Sequence, residues 1–385
     1  MESVLFIIAL ATCLYLIFNI FEFIFGFNKI KNLSEQIPID KNQWPTISII
    51  VSALNEEKDI EKALLTLLRL DYPHLEIIAI NDRSTDSTPM ILNRLQTEYP
   101  RLKVAHIQNL PKGWFGKNHA LHVGSQLAQG DWLLFTDADV AMRSDTLLKS
   151  ISYVMQHQVD HLTIYENHQR NDFWLKILLL GLYIVYSMHK KPWRISYSWS
   201  KKSLGHGAFN LVKTTAYQQC GGHAAIAMEC LDDLKLGSLL KNNGFQQDTV
   251  DGRDFIARDW YTSLPHMING MKKNSFAYYN YQVLPACRDA FLAWGFYIWP
   301  VIASICFSGP LRSLNLVNVG LTLFVSLFVA KQFRLQKRYA IFYPFSVGIL
   351  LYTVFNSIFS VCKNKGVIWR GTYYSLQAIK GKKSL

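Results

Sequence analysis

A chain of 385 residues is too long for one average domain, and at 50% hydrophobic with 18% charged it is more apolar than a water-soluble protein needs. Its net charge of +12 would suit a nucleic-acid groove, but the basic residues cluster beside apolar blocks and no nucleic-acid-binding motif accompanies them, which argues against that class of partner. Cys13, Cys220, Cys230, Cys287, Cys306 and Cys362 show no CxxC spacing, which argues against a zinc site or a disulfide framework and fits a reducing compartment.

Residues 4–25 form an apolar run broken only by Asn19 and Glu22. At about 1.5 Å per residue it spans a hydrocarbon core of roughly 30 Å, and it reads as a retained membrane anchor. Polar content is ordinary from there to Asp289. Within that stretch the β-branched run 47–51 predicts a buried parallel strand, and Ile60, Ala63, Leu64, Leu67 and Leu68 recur at helical spacing over 56–70. Strands at 75–80, 102–106 and 132–135 alternate with helices opening at Thr88-Pro89, with the Thr88 hydroxyl as cap and proline in the first turn, and spanning 118–129. Such alternation predicts a parallel sheet with helices on both faces, whose ligands gather at the carboxyl ends of the strands.

Those strand ends are acidic. Asn55-Glu56 follow the first, Asn81 to Asp86 the second, and Asp137-Ala138-Asp139 a later one. Alternation puts Asp137 and Asp139 on one side of an extended backbone, a pattern that suits a hard divalent ion completing its shell with water and phosphates.

The segments Ser52 to Glu57, Asn81 to Thr88, Gly113-Trp-Phe-Gly-Lys-Asn-His-Ala-Leu121 and Thr136-Asp-Ala-Asp139 together resemble glycosyltransferase family 2 over roughly residues 46–255. Gly-Trp-x-Gly-Lys-x-x-Ala is similar to the membrane-bound branch that glycosylates lipids, including carotenoid-acid, hopanoid-associated and ceramide glycosyltransferases. The resemblance implies an α/β GT-A nucleotide-diphospho-sugar fold, a mostly parallel doubly wound sheet, joined to transmembrane helices. It also implies that Asn55, Glu57, Asp82, Asp86 and Asp137 line the nucleotide-sugar pocket, that Lys117 faces the diphosphate, and that Asp139, assisted by Asp137, holds Mg2+ or Mn2+.

Farther on, Gly205 to Lys213 and Tyr217 to His223 resemble the acceptor-side segment of the same branch, leading into Leu231-Asp232-Asp233-Leu234-Lys235-Leu236-Gly237. By resemblance Asp233 is the base that deprotonates the acceptor, and Asp232 orients it. His206, Arg258 and Trp260 are expected contacts of acceptor or diphosphate. Processive polysaccharide synthases carry Gln-x-x-Arg-Trp after the acidic pair. Here Ile256-Ala257-Arg258-Asp259-Trp260 lacks the Gln and inserts a residue.

Residues 173–188 are apolar around Lys176 and end in a basic cluster, which predicts an interfacial segment with Trp174 and Trp193 at headgroup depth. Apolar blocks at 291–307, 314–330 and 339–361 are long enough to span, with Trp299-Pro300 and Pro344 as possible breaks. Charge places 331–338 inside, and three full spans would then put the basic tail outside. A Trp369-Arg-Gly-Thr-Tyr-Tyr374 ending similar to that of the lipid branch favours a cytoplasmic tail.

The expected organisation is an anchor at 1–28, a cytoplasmic catalytic domain at 29–288 with the interfacial segment 173–194, a transmembrane region at 289–362 and a basic tail at 363–385. The expected protein is a multi-pass integral membrane enzyme, in the inner membrane if bacterial. It would transfer one sugar, with inversion and metal dependence, from a UDP-linked donor to a membrane lipid, without nucleic acid. A short-chain or processive polysaccharide synthase and a non-catalytic sugar-binding protein remain as alternatives.

Overall fold

The computed structural model describes residues 2–39, 44–168 and 172–381, so Lys382 and Lys383 of the basic tail lie outside the described residues. The chain divides into two compact units. One holds the helices Glu2–Phe27 and Phe173–Lys190 and the chain from Tyr261 to Ile368; the other holds Ile30 to His168, Pro192 to Trp260 and the segment from Trp369.

The second unit is built on a seven-stranded sheet. Its strands are β1 (Ile47–Ala53), β2 (Leu75–Asp82), β3 (Leu102–Ile107), β4 (Trp132–Asp137), β6 (His161–Tyr165), β8 (Asn210–Lys213) and β9 (Gln247–Asp251), in the order β3-β2-β1-β4-β8-β6-β9. All neighbours pair parallel except β8, which runs against both β4 and β6. The central strands read as unbroken apolar runs because helices cover both faces: Ile49, Val51, Ile77 and Leu134 pack into one core, and Ile50, Leu121, Leu133 and Leu236 into another. A small sheet of β5 (Val140–Met142), β10 (Ile256–Arg258) and β7 (Asn167–His168), in the order β5-β10-β7, completes the unit.

This topology assembles the polar rim. Strands β1, β2, β4 and β6 point the same way, so the residues that follow them emerge on one edge. The reversed β8 begins on that edge, since Asn210 pairs with Phe135 and Thr163, and its leading loop from Gly205 joins them.

Two local expectations change. The first helix is Ile60–Leu68, not 56–70, because the N–H groups of Glu56 and Glu57 donate to Thr88 Oγ1 and Asp86 Oδ2 at 2.9 and 3.1 Å and hold that stretch as a turn. Thr88 is therefore no cap: the helix Thr88–Glu98 begins after Ser87, and the Thr88 hydroxyl serves the neighbouring loop.

In the first unit Glu2–Phe27, Gly309–Gln332 and Lys337–Asn364 are long and apolar enough to cross a membrane. The pair Val283–Tyr297 and Trp299–Cys306 is bent by 45° at the Trp299-Pro300 break. Phe173–Lys190 is a single helix, capped by Asp172 accepting from Leu175 N, which packs against the helices Gly309–Gln332 and Tyr343–Asn364. Ile7, Phe18, Phe25, Phe291, Ile305 and Phe359 face outward, an apolar surface that hydrocarbon would cover. Three buried polar groups donate to backbone carbonyls: Asn318 Nδ2 to Ala9 O at 3.0 Å, and the Thr322 and Ser326 hydroxyls each to the carbonyl four residues earlier at 2.8 Å.

Candidate active site

The rim holds a chain of alternating charges within the second unit. Lys117, in the first turn of the helix Gly116–Leu127, places Nζ 2.8 Å from Asp137 Oδ1 and 3.0 Å from Asp232 Oδ2. Arg258 closes the other side, with one terminal nitrogen 2.8 Å from Asp137 Oδ2 and Nε 3.2 Å from Asp139 Oδ2. Burial opposes the Lys117 charge, but Asp137, Asp232 and Asp233 outweigh it and drive its pKa up. Asp137 is held down against its own burial by Lys117 and Arg258. Asp232 is pushed up to about 6, first by burial and then by Asp233 and Asp137, with Lys117 opposing.

Asp139 differs from Asp137. Burial raises its pKa despite Arg258, and its Oδ1 is a buried oxygen without a hydrogen-bond partner. No group of three or more His, Cys, Asp or Glu among the described residues is arranged to hold a metal. A divalent ion bound through one carboxylate, water and substrate phosphates needs no such group, so Asp139 fits one. Asp137, expected as the assisting ligand and a pocket contact, has both oxygens in ion pairs, which leaves Asp139 as the open carboxylate.

Asp233 sits at the start of the helix Asp232–Asn242, with Oδ2 accepting from Gly207 N at 2.9 Å and Oδ1 from Leu234 N at 2.8 Å. Absent side chains bring it there. A Cβ on Gly205 would lie 1.8 Å from Asp233 O, and one on Gly237 would lie 2.0 Å from Leu204 O, so helix and loop meet backbone to backbone. Gly237→Ala would push the helix off the loop at about 1–3 kcal/mol of overpacking. Its melting temperature should therefore fall, in a thermal melt run beside the wild type.

The expected nucleotide contacts are spread over several jobs. Asn55, left-handed at φ 56°, has Oδ1 accepting from Thr85 N at 2.8 Å. Glu57 accepts from Ser87 N at 3.0 Å, and Asp86 accepts from Glu57 N and Thr88 N. These three side chains staple the loops after β1 and β2 together. Asp82 is buried and both its oxygens take Arg83, at 2.8 and 3.1 Å, so it is not open to a base or ribose as expected. Lys117, expected to face a diphosphate, is balanced between two carboxylates.

Other residues pair with one another around the rim. Glu56 bonds Arg370, whose guanidinium also donates to Leu54 O; burial raises the Glu56 pKa against Arg370, with Asp139 and Asp137 adding to the rise. Tyr374 stacks on Phe115 at 4.1 Å and accepts from Gly116 N at 3.1 Å. His206 Nδ1 lies 3.1 Å from Glu166 Oε2, and Trp260 stacks on His168 at 5.9 Å. Glu56 and Arg370 stood in sequence motifs already singled out, whereas Glu166 carries no sequence signal and is found through β6 alone.

Residues 48–219 match the family model described as glycosyl transferase family 2. The chain carries a family 2 glycosyl transferase domain. Its relatives include the beta-monoglucosyldiacylglycerol synthase of Nostoc sp., 32% identical over 46% of this chain and 38% of the synthase. Another is the 4,4'-diaponeurosporenoate glycosyltransferase of Staphylococcus haemolyticus, 25% identical over 60% of each chain. The match thus spans less than two thirds of either relative. The mannosyltransferase PcManGT from Pyrobaculum calidifontis, solved in complex with GDP-Man and Mn2+, shares the fold with a TM-score of 0.57 at 18% identity, over 94% of this chain and 99% of that one. The family 2 domain therefore has the GT-A fold, and its mostly parallel sheet carries the acidic rim on the edge where that fold's strands end.

Proposed function

We propose that this protein moves one sugar, with inversion, from a nucleotide-diphosphate donor, UDP-linked by our reading, to a membrane lipid. The observation that carries this is the meeting of Asp139, the Lys117–Asp137–Arg258 chain and Asp233 on a single rim. Arg258 and Lys117 hold Asp137 rigid and supply fixed positive charge beside the leaving group, where negative charge grows. Asp139 would hold the divalent ion, which would neutralise charge on the donor diphosphate when bound. Asp233 takes the acceptor proton while the acceptor attacks the anomeric carbon from the face opposite the diphosphate.

A lipid acceptor is supported by the apolar helices of the first unit, by the glycolipid product named for one relative and by the diaponeurosporenoate named as what another glycosylates. We place the catalytic unit on the cytoplasmic side, because Lys331, Arg334, Lys337 and Arg338 join two candidate spans.

The test is to incubate membranes containing the full chain with several radiolabelled nucleotide sugars and Mn2+, extract the lipid and count the label. Label in lipid with one sugar per acceptor is expected; repeated addition to one acceptor would overturn single transfer. Chelation in the same assay should abolish at least about nine-tenths of the transfer, restored by Mn2+ or Mg2+. Undiminished transfer would remove the role given to Asp139.

A further inference from the structure

One half-buried charge pair on the rim has no part in the mechanism so far. Glu166 follows β6, and His206 opens the loop that leads into β8. Glu166 Oε2 fixes the ring through Nδ1 at 3.1 Å, and the opposite nitrogen, Nε2, is buried without a hydrogen-bond partner. The next residue, Gly207, donates its N–H to Asp233 Oδ2 at 2.9 Å, so the same loop carries the imidazole and anchors the expected base. A carboxylate that orients one ring nitrogen and leaves the other for a ligand is how an imidazole is aimed at a reacting oxygen.

We propose that His206, oriented by Glu166, is a further catalytic residue whose Nε2–H donates to the acceptor oxygen, and that the acceptor group is a lipid hydroxyl. This rests on the transfer reading above. In the step, the acceptor O–H bond breaks and its proton goes to Asp233. The freed pair forms the bond to the anomeric carbon, and the bond from that carbon to the diphosphate oxygen breaks with its pair leaving on the diphosphate. A cation beside the oxygen stabilises the charge that develops as the proton departs. An acceptor carboxylate has no proton for Asp233 to take, so the arrangement suits a hydroxyl.

The groups acting on the ring are Glu166, Asp233 and Arg258, with Tyr165 edge-on at 5.4 Å. Burial works against the imidazolium, but Glu166 and then Asp233 outweigh it, with Arg258 opposing, and the His206 pKa rises. A raised value keeps the ring charged above the ordinary imidazole range, so transfer should fall as pH climbs through it.

The experiment uses the full chain in detergent micelles, a total membrane-lipid extract and the donor that labels lipid in the assay above. His206→Gln should lower kcat at least about tenfold, leave the donor KM within about twofold, and abolish the alkaline fall. Glu166→Gln keeps the ring but removes its chief support, and should move that fall to lower pH. Melting temperature and UDP affinity report whether each variant is folded. If His206→Gln does not fold, Glu166→Gln decides alone, and an alkaline fall left in place overturns the proposal. A His206→Gln kcat within about twofold of wild type overturns it as well. A wild-type chain that labels no lipid with any donor overturns the transfer reading itself, and this assignment with it.

Discussion

Lys117→Ala is expected to be the most damaging single change, because it strips the cation from two carboxylates at once, the buried Asp232 and the half-buried Asp137. Nζ lies within 3.0 Å of both Asp137 and Asp232. Breaking a buried pair by removing one partner costs about 3–5 kcal/mol, since the remaining charge is left uncompensated. Transfer should fall by about 10²–10³-fold as well, because Asp137 loses the group that fixes it. The stability loss should depend on pH. The Asp232 pKa is raised to about 6, above its ordinary value of 3.8, so its neutral form favours the fold at low pH and that contribution is lost as pH rises through 6. Without Lys117 the carboxyl pKa climbs further. The variant's deficit in melting temperature should therefore be smallest near pH 5 and grow toward pH 7.5, measured by thermal melts across that range. A deficit independent of pH would mean that Lys117 does not balance Asp232.

Asp233→Asn should separate chemistry from binding. The amide keeps the size of the side chain and one acceptor for Gly207 N or Leu234 N, so the helix start stays in place. It cannot take a proton. Transfer to lipid should fall by about 10²–10⁴-fold, the range spanned by a lost general base, with UDP affinity nearly unchanged. Single-turnover transfer and a UDP titration on the same protein check this, and a rate within threefold of wild type would move the base elsewhere on the rim.

Much of the sheet was legible because its strands are buried on both faces and spell out as apolar runs ending in Asn or Asp. The strands expected at 47–51, 75–80, 102–106 and 132–135 all form, each extended by a residue or two. The antiparallel β8 was not expected, since a short Asn-Leu-Val-Lys strand carries no direction in its sequence. Individual site residues were harder to read than the rim. Spacing could not tell Glu56 from Glu57, because the choice depends on the Asp86 carboxylate and Thr88 hydroxyl holding those backbone amides in a turn. Asp82 was expected to be open, yet its neighbour Arg83, at φ 60°, folds back over it. The sequence shows which residues carry charge, but pairing of that charge is decided by loops separated by tens of residues.

The corner where Arg370 reaches Leu54 and Glu56 joins positions 316 and 314 residues apart. A nascent polypeptide therefore cannot finish this part of its pocket while the first strands emerge from the ribosome. The corner closes only after every candidate span has been synthesised, so a truncated product released earlier lacks Arg370 and leaves Glu56 without its guanidinium. Biosynthesis thus delays completion of this corner until the candidate spans are already made.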